Sequence, residues 1–100
     1  MSTETNESSG VVKVRIPTQL RSLTAGAGEV SVEGSTVAGV LASLEGAHPG
    51  FAERLFDEAG QLRRFVNVFV ADEDVRFLQN LDTPVRAGQT LSIVPAVAGG

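Results

Sequence analysis

One long stretch of this 100-residue chain has helical periodicity, and it constrains everything around it. Val37, Val40, Leu41 and Leu44 fall at i, i+3, i+4 and i+7, which is a single apolar stripe on an amphipathic helix. Ser35 or Thr36 supplies the N-cap, and His48-Pro49-Gly50 stops the helix. The other apolar segments mostly alternate with period two, so they read as strands with one buried face. A lone helical stripe in such company is buried by lying across a sheet.

Taken in order, Val12, Val14 and Ile16 share one face of a first strand, with Lys13 and Arg15 on the other and Pro17 closing it. Leu20 and Leu23 are expected under the sheet, and Ala25-Gly26-Ala27-Gly28 is turn material. Glu29 to Glu33 alternates again and pairs most simply as an antiparallel hairpin with the first strand. The helix then packs on Val12, Val14 and Ile16, while Phe51, Leu55 and Phe56 make a short helical turn closing one end of the core. Beyond the polar loop Asp57–Gln61, a third strand is expected from Leu62 to Val70. Its Val66, Val68 and Val70 face the helix, and its Phe65, Asn67 and Phe69 face away. Ala71-Asp72-Glu73-Asp74 forms a tight acidic turn into a short strand at Val75-Arg76-Phe77, followed by irregular chain at Leu78 to Leu81. The segment Pro84 to Gln89 is a turn in which Gly88 is free to take positive φ, and the last strand runs from Thr90 to Pro95 with Leu91 and Ile93 inward.

Hairpin, helix, two strands and a final strand let the final strand run parallel beside the first. The expected fold is α+β, a ubiquitin-like β-grasp with a mixed sheet wrapped around one main helix. Residues 1–10 form a disordered polar leader, 11–95 the domain, and 96–100 a flexible tail.

Composition removes several functions. The net charge is −4, the eight basic residues form no cluster along the sequence, and the five aromatics are all Phe, so a nucleic-acid backbone reader is disfavoured. Without cysteine there is no disulfide, thiolate ligand or thiol nucleophile. No apolar stretch approaches the ~20 residues that span a bilayer, and no signal-peptide core is present, so a soluble cytoplasmic protein is expected. His48 is the only histidine and sits at a helix end, with no second histidine or cysteine to complete a metal site. Asp72, Glu73 and Asp74 lack calcium-loop spacing and read as a solvated hairpin tip. Gly26 and Gly28 lack the further glycine and helix of a dinucleotide fingerprint, and no serine or threonine lies in a nucleophile-elbow context. The chain contains no recognisable catalytic apparatus and reads as a non-enzyme that binds no metal and no cofactor.

The chemistry therefore falls to the terminus Ala96-Val97-Ala98-Gly99-Gly100. Five extended residues reach about 17 Å at roughly 3.3–3.6 Å each, long and thin enough to enter a narrow site. Glycine at both final positions leaves the terminal carboxylate uncrowded. With Phe65-Val66-Asn67-Val68-Phe69-Val70, the turn from Ala71 to Arg76, the Arg86-Ala87-Gly88-Gln89-Thr90 turn and the ending Val94 to Gly100, the chain resembles the ubiquitin-like sulfur carriers of the MoaD/ThiS family over about nine-tenths of its length.

The resemblance implies a carrier. An E1-like adenylating enzyme, related to the ubiquitin-activating enzymes, would place AMP from ATP on the Gly100 carboxylate, and sulfur would then replace AMP as a thiocarboxylate. Ala96, Val97, Ala98 and Gly99 would thread the partner's active site, and Phe65, Phe69 and Val94, extended by Val97, would form the docking patch on the sheet. Implied users of the sulfur include a pyridoxal-phosphate (PLP) dependent cysteine synthase, followed by a metalloprotease that trims the product, or a thiosugar synthase. Cofactor and thio-tRNA synthesis are also open. Two other roles stay open: a ubiquitin-like modifier joined to lysines, and the small subunit of a molybdopterin-synthase-like enzyme.

Overall fold

The structure, a computed structural model, describes residues 10–95. The tail expected at 96–100 and all of the expected leader except Gly10 lie outside those residues. Gly10 itself is buried: a Cβ there would stand 2.4 Å from that of Ala87, so the packed domain begins one residue before the expected boundary.

Strand β1 (Val11–Arg15) alternates as its sequence does, with Val12 and Val14 wholly buried. It pairs antiparallel with β2 (Glu29–Glu33), in register from Val11 opposite Glu33 to Arg15 opposite Glu29. The link between them is more ordered than a plain turn. Pro17 leads into a 3₁₀ segment, Thr18–Thr24, which buries Leu20 and leaves Leu23 partly buried against the core. The buried Thr24 hydroxyl donates to the Ala27 carbonyl at 2.8 Å, closing the link before β2.

Helix α1 (Val37–Ala47) buries the four stripe residues Val37, Val40, Leu41 and Leu44. Of the two cap candidates, Thr36 does the capping: it is extended, and its hydroxyl accepts the Gly39 N–H at 3.1 Å. At the other end the His48 N–H reaches the Leu44 carbonyl, after which Pro49 and Gly50 (φ 116°) turn the chain. The short helix α2 (Phe51–Leu55) follows, its entry held by the Glu45 carboxylate, which accepts N–H groups from Gly50 and Ala52. Phe51 and Leu55 are buried, as their spacing demands.

The third strand is shorter than its apolar run. β3 spans Val66–Val70, because residues 62–65 are used in an entry turn in which the Val66 N–H bonds the Arg63 carbonyl. Ala71 (φ 51°) and Asp72 (φ 75°) then form a two-residue turn of the left-handed kind that suits strand twist, leading to β4 (Glu73–Asp74). The strand expected at Val75-Arg76-Phe77 is instead a 3₁₀ turn. The Asp74 carboxylate accepts the Arg76 N–H at 2.9 Å and bends the chain there, burying Val75 and turning Phe77 outward.

Strand β5 (Thr90–Pro95) completes the sheet from its middle, parallel to β1 and antiparallel to β3, giving the order β2-β1-β5-β3-β4. Val12, Val14, Val68, Leu91 and Ile93 meet the helix stripe in one continuous core. Leu44 is fully buried in this layer. Leu44→Ala is expected to lower the unfolding free energy by about 2–5 kcal/mol in urea titrations. Val11→Ala, at the half-exposed first position of β1, should change it by less than about 0.5 kcal/mol.

Candidate functional site

The site is the place where β5 ends. Pro95 lies opposite Val66 of β3 and brings no N–H to the ladder, so the sheet's donor row on this strand stops there. The residues charged with the expected chemistry, Ala96, Val97, Ala98, Gly99 and Gly100, follow directly and lie outside the described residues.

The face of the sheet away from α1 is set by register. Glu29, Arg15, Ser92, Phe69 and Asp74 stand side by side across all five strands. Phe69 is partly exposed in the middle of that row. Val94, 43% exposed, pairs with Asn67 and lies diagonal to Phe69 on the same face. Phe65, 56% exposed, is not on a strand. It belongs to the entry turn and lines a groove with Val66 and Pro95. The structure thus places Phe69 and Val94 together on the sheet and sets Phe65 at the end of it, beside the tail's root.

One residue with a clear part in this geometry has no role in the sequence reading. Arg76 reaches back across the outer face, and its Nη1 donates to Asn67 Oδ1. Its Nη2 donates to the carbonyls of Arg63 and Val66, both at 2.9 Å, and lies 3.4 Å from that of Arg64. A guanidinium suits this work because its planar donors serve several acceptors at once. Arg76 therefore fixes the turn that carries Arg63, Arg64 and Phe65 to the side of Pro95. The sequence signal was slight: Asp74-Val75-Arg76 after a tight turn, with the acidic residue as cap.

A mixed sheet gripping one helix, with the C-terminal strand in its centre and leaving at its end, defines a ubiquitin-like β-grasp protein. The chain belongs to the ThiS family, whose model matches residues 14–100. It is 48% identical to the sulfur carrier protein CysO of Mycobacterium tuberculosis over 91 residues, covering 89% of this chain and 98% of that one. The fold matches CysO in the crystal structure of the Amycolatopsis orientalis BexX/CysO complex with a TM-score of 0.84 at 48% identity, covering 89% of this chain and 99% of the other. Small archaeal modifier protein 1 (SAMP1) from Haloferax volcanii is similar too, with a TM-score of 0.77 at 31% identity over 91% of this chain and all of that one. The role these relationships bear out is sulfur carriage, not catalysis.

Arg76→Lys keeps the charge and removes the fork. It is expected to cost about 1–2 kcal/mol of stability and to speed amide hydrogen exchange at Val66, which a lysine retaining only one of these contacts cannot prevent.

Proposed function

We propose that Gly100 is the sulfur-carrying atom site of this carrier, and that the folded domain serves to address it. A terminal carboxylate is an anion at neutral pH, since its ordinary pKa is about 3.5. It can attack the α-phosphate of ATP bound by an activating enzyme, breaking the bond to the β-phosphate and releasing pyrophosphate, while its own carbonyl resists nucleophiles until AMP is attached as a leaving group. Sulfide then attacks the acyl carbon, displaces AMP and leaves a Gly100 thiocarboxylate, whose sulfur passes to an acceptor on a downstream enzyme while hydrolysis by water restores the carboxylate. ATP is thus used by the partner and not held by this chain. No group in the described fold is asked to do chemistry; the observation that carries the reading is the seat of β5, paired with β1 as far as Ser92 and with β3 as far as Pro95, which stands five residues before Gly100.

The partners that follow are an E1-like adenylating enzyme and a sulfur-accepting biosynthetic enzyme. The 48% identity to CysO makes a PLP-dependent cysteine synthase, with a trimming metalloprotease, the acceptor system to try first. A thiosugar synthase ranks next; the A. orientalis BexX/CysO complex supports, more coarsely, a stable pairing of such a carrier with a second protein. A cytoplasmic location is part of the same proposal; no helix among the described residues is long and apolar enough to cross a membrane. The likeness to SAMP1 supports a second reading, a modifier joined to lysines through Gly100, and recovery of stable lysine conjugates from cells would favour it.

Incubation with ATP, sulfide and the adenylating enzyme of the same organism should raise the intact mass by the replacement of one oxygen by sulfur. Deletion of Gly100 should abolish the gain, and a truncated chain that still gained it would sink the assignment. Phe69→Ala should weaken docking to the adenylating enzyme by about tenfold in Kd, as expected for a central aromatic anchor worth 1–2 kcal/mol. Unchanged adenylation kinetics would remove Phe69 from the interface.

A further inference from the structure

The charges of this chain are unevenly placed. Three surface grooves meet at Pro95. Arg15 and Arg21 line one, Arg63 and Arg64 a second, and Arg54 borders the second and third. Five of the eight basic side chains of the protein thus surround the root of the tail. The only carboxylate lining those grooves is Asp57, whose Oδ1 accepts the N–H groups of Ala59 and Gln61. Glu29, opposite Arg15, and Glu53, beside Arg54, are the next nearest in register and sequence, and with them included the collar is still net positive. Residues 10–95 hold eight basic and ten acidic side chains, so among the described residues the surface away from the collar is net negative.

We infer that this arginine collar is an electrostatic docking ring for a carboxylate-lined mouth on the enzyme that receives the tail. The inference rests on the proposed use of Gly100 and adds the chemistry of the partner's entrance. The five residues beyond Pro95 bear no charged side chain and reach about 17 Å when extended. When the terminal carbonyl sits in a partner's active site, the collar is therefore at the rim of the channel. A net-negative protein ending in a carboxylate is repelled by an acidic rim in every orientation except the one that leads with the collar. Such a dipole selects the productive approach and raises the rate of encounter. Arg21 and Arg63 are also braced in place, their Nε groups donating to the Ile16 and Glu53 carbonyls at 3.0 and 3.2 Å.

The test uses the full chain and the adenylating enzyme that thiocarboxylates it, with association followed by stopped flow. The variant is Arg15→Gln/Arg54→Gln/Arg64→Gln, which spares the two braced arginines. Its association rate at low salt should fall about tenfold or more. The difference should vanish near 1 M salt, where the screening length is about 3 Å. The matching triple Arg→Lys variant should keep the wild-type rate, and Arg86→Gln, in the turn at the opposite end of β5 from Pro95, should do the same. An unchanged rate in the triple Gln variant, or a loss that salt does not erase, overturns the collar. So does salt-dependent tRNA binding that disappears in this variant while enzyme association is unaffected. Wild-type protein that gains no sulfur sinks the Gly100 assignment instead, whereas full sulfur loading with an unaltered association rate sinks only the collar.

Discussion

The structure depends on the seating of its last strand. β5 is bonded to β1 on one side and to β3 on the other, and its Leu91 and Ile93 are buried beneath α1. The parallel pairing joins Lys13 with Thr90 and Arg15 with Ser92, residues more than seventy positions apart, so loop closure opposes it until the helix and the long connection are in place. Without β5 the hairpin β1–β2 and the β3–β4 pair would be two ribbons with no shared ladder. The core under α1 would then have a gap along its midline. This strand is also the one that carries the tail. The segment that completes the fold is therefore the segment from which residues 96–100 continue.

Much of this was legible because the burial patterns are strict. The alternation at Val12, Val14 and Ile16, the i, i+3, i+4, i+7 stripe and the inward pair Leu91 and Ile93 each admit one orientation in a single-core domain. The errors fall where side chains compete with the backbone ladder. Phe65 continues the alternation of β3, yet Arg76 takes the carbonyls around it and holds the turn away from the sheet. Val75-Arg76-Phe77 alternates too, but the Asp74 side chain captures the Arg76 N–H and winds the segment into a 3₁₀ turn. Periodicity reports which residues seek burial and is silent about long-range side-chain-to-backbone bonds of this kind.

The arginine collar was invisible for another reason. Its members come from the end of β1, the 3₁₀ segment, α2 and the entry turn of β3, stretches separated in sequence by acidic and neutral residues. Along the chain there is no basic run; only the closing of the sheet around β5 gathers them at Pro95. Net charge likewise misleads, since −4 describes the sum and not the face a partner meets.

The proposed function divides the labour of a carrier between the folded domain and the residues that follow Pro95. In the proposed reading the terminal carboxylate needs no help from its own domain, because activation is a matter of the leaving group that the partner attaches. What the domain can contribute is orientation, and orientation requires that the docking surface and the tail's root share one rigid body. Phe69 and Val94 stand on β3 and β5 themselves, and the Arg76 fork ties the turn bearing Phe65 to the same two-strand unit. Any enzyme that grips this face therefore receives the tail from a fixed direction. One surface can serve an activating enzyme and a sulfur-accepting enzyme in turn only if neither complex is very long-lived. A modest patch with polar gaps at Ser92 and Asn67, aided by charges that act mainly on encounter, suits that requirement better than a large apolar interface would.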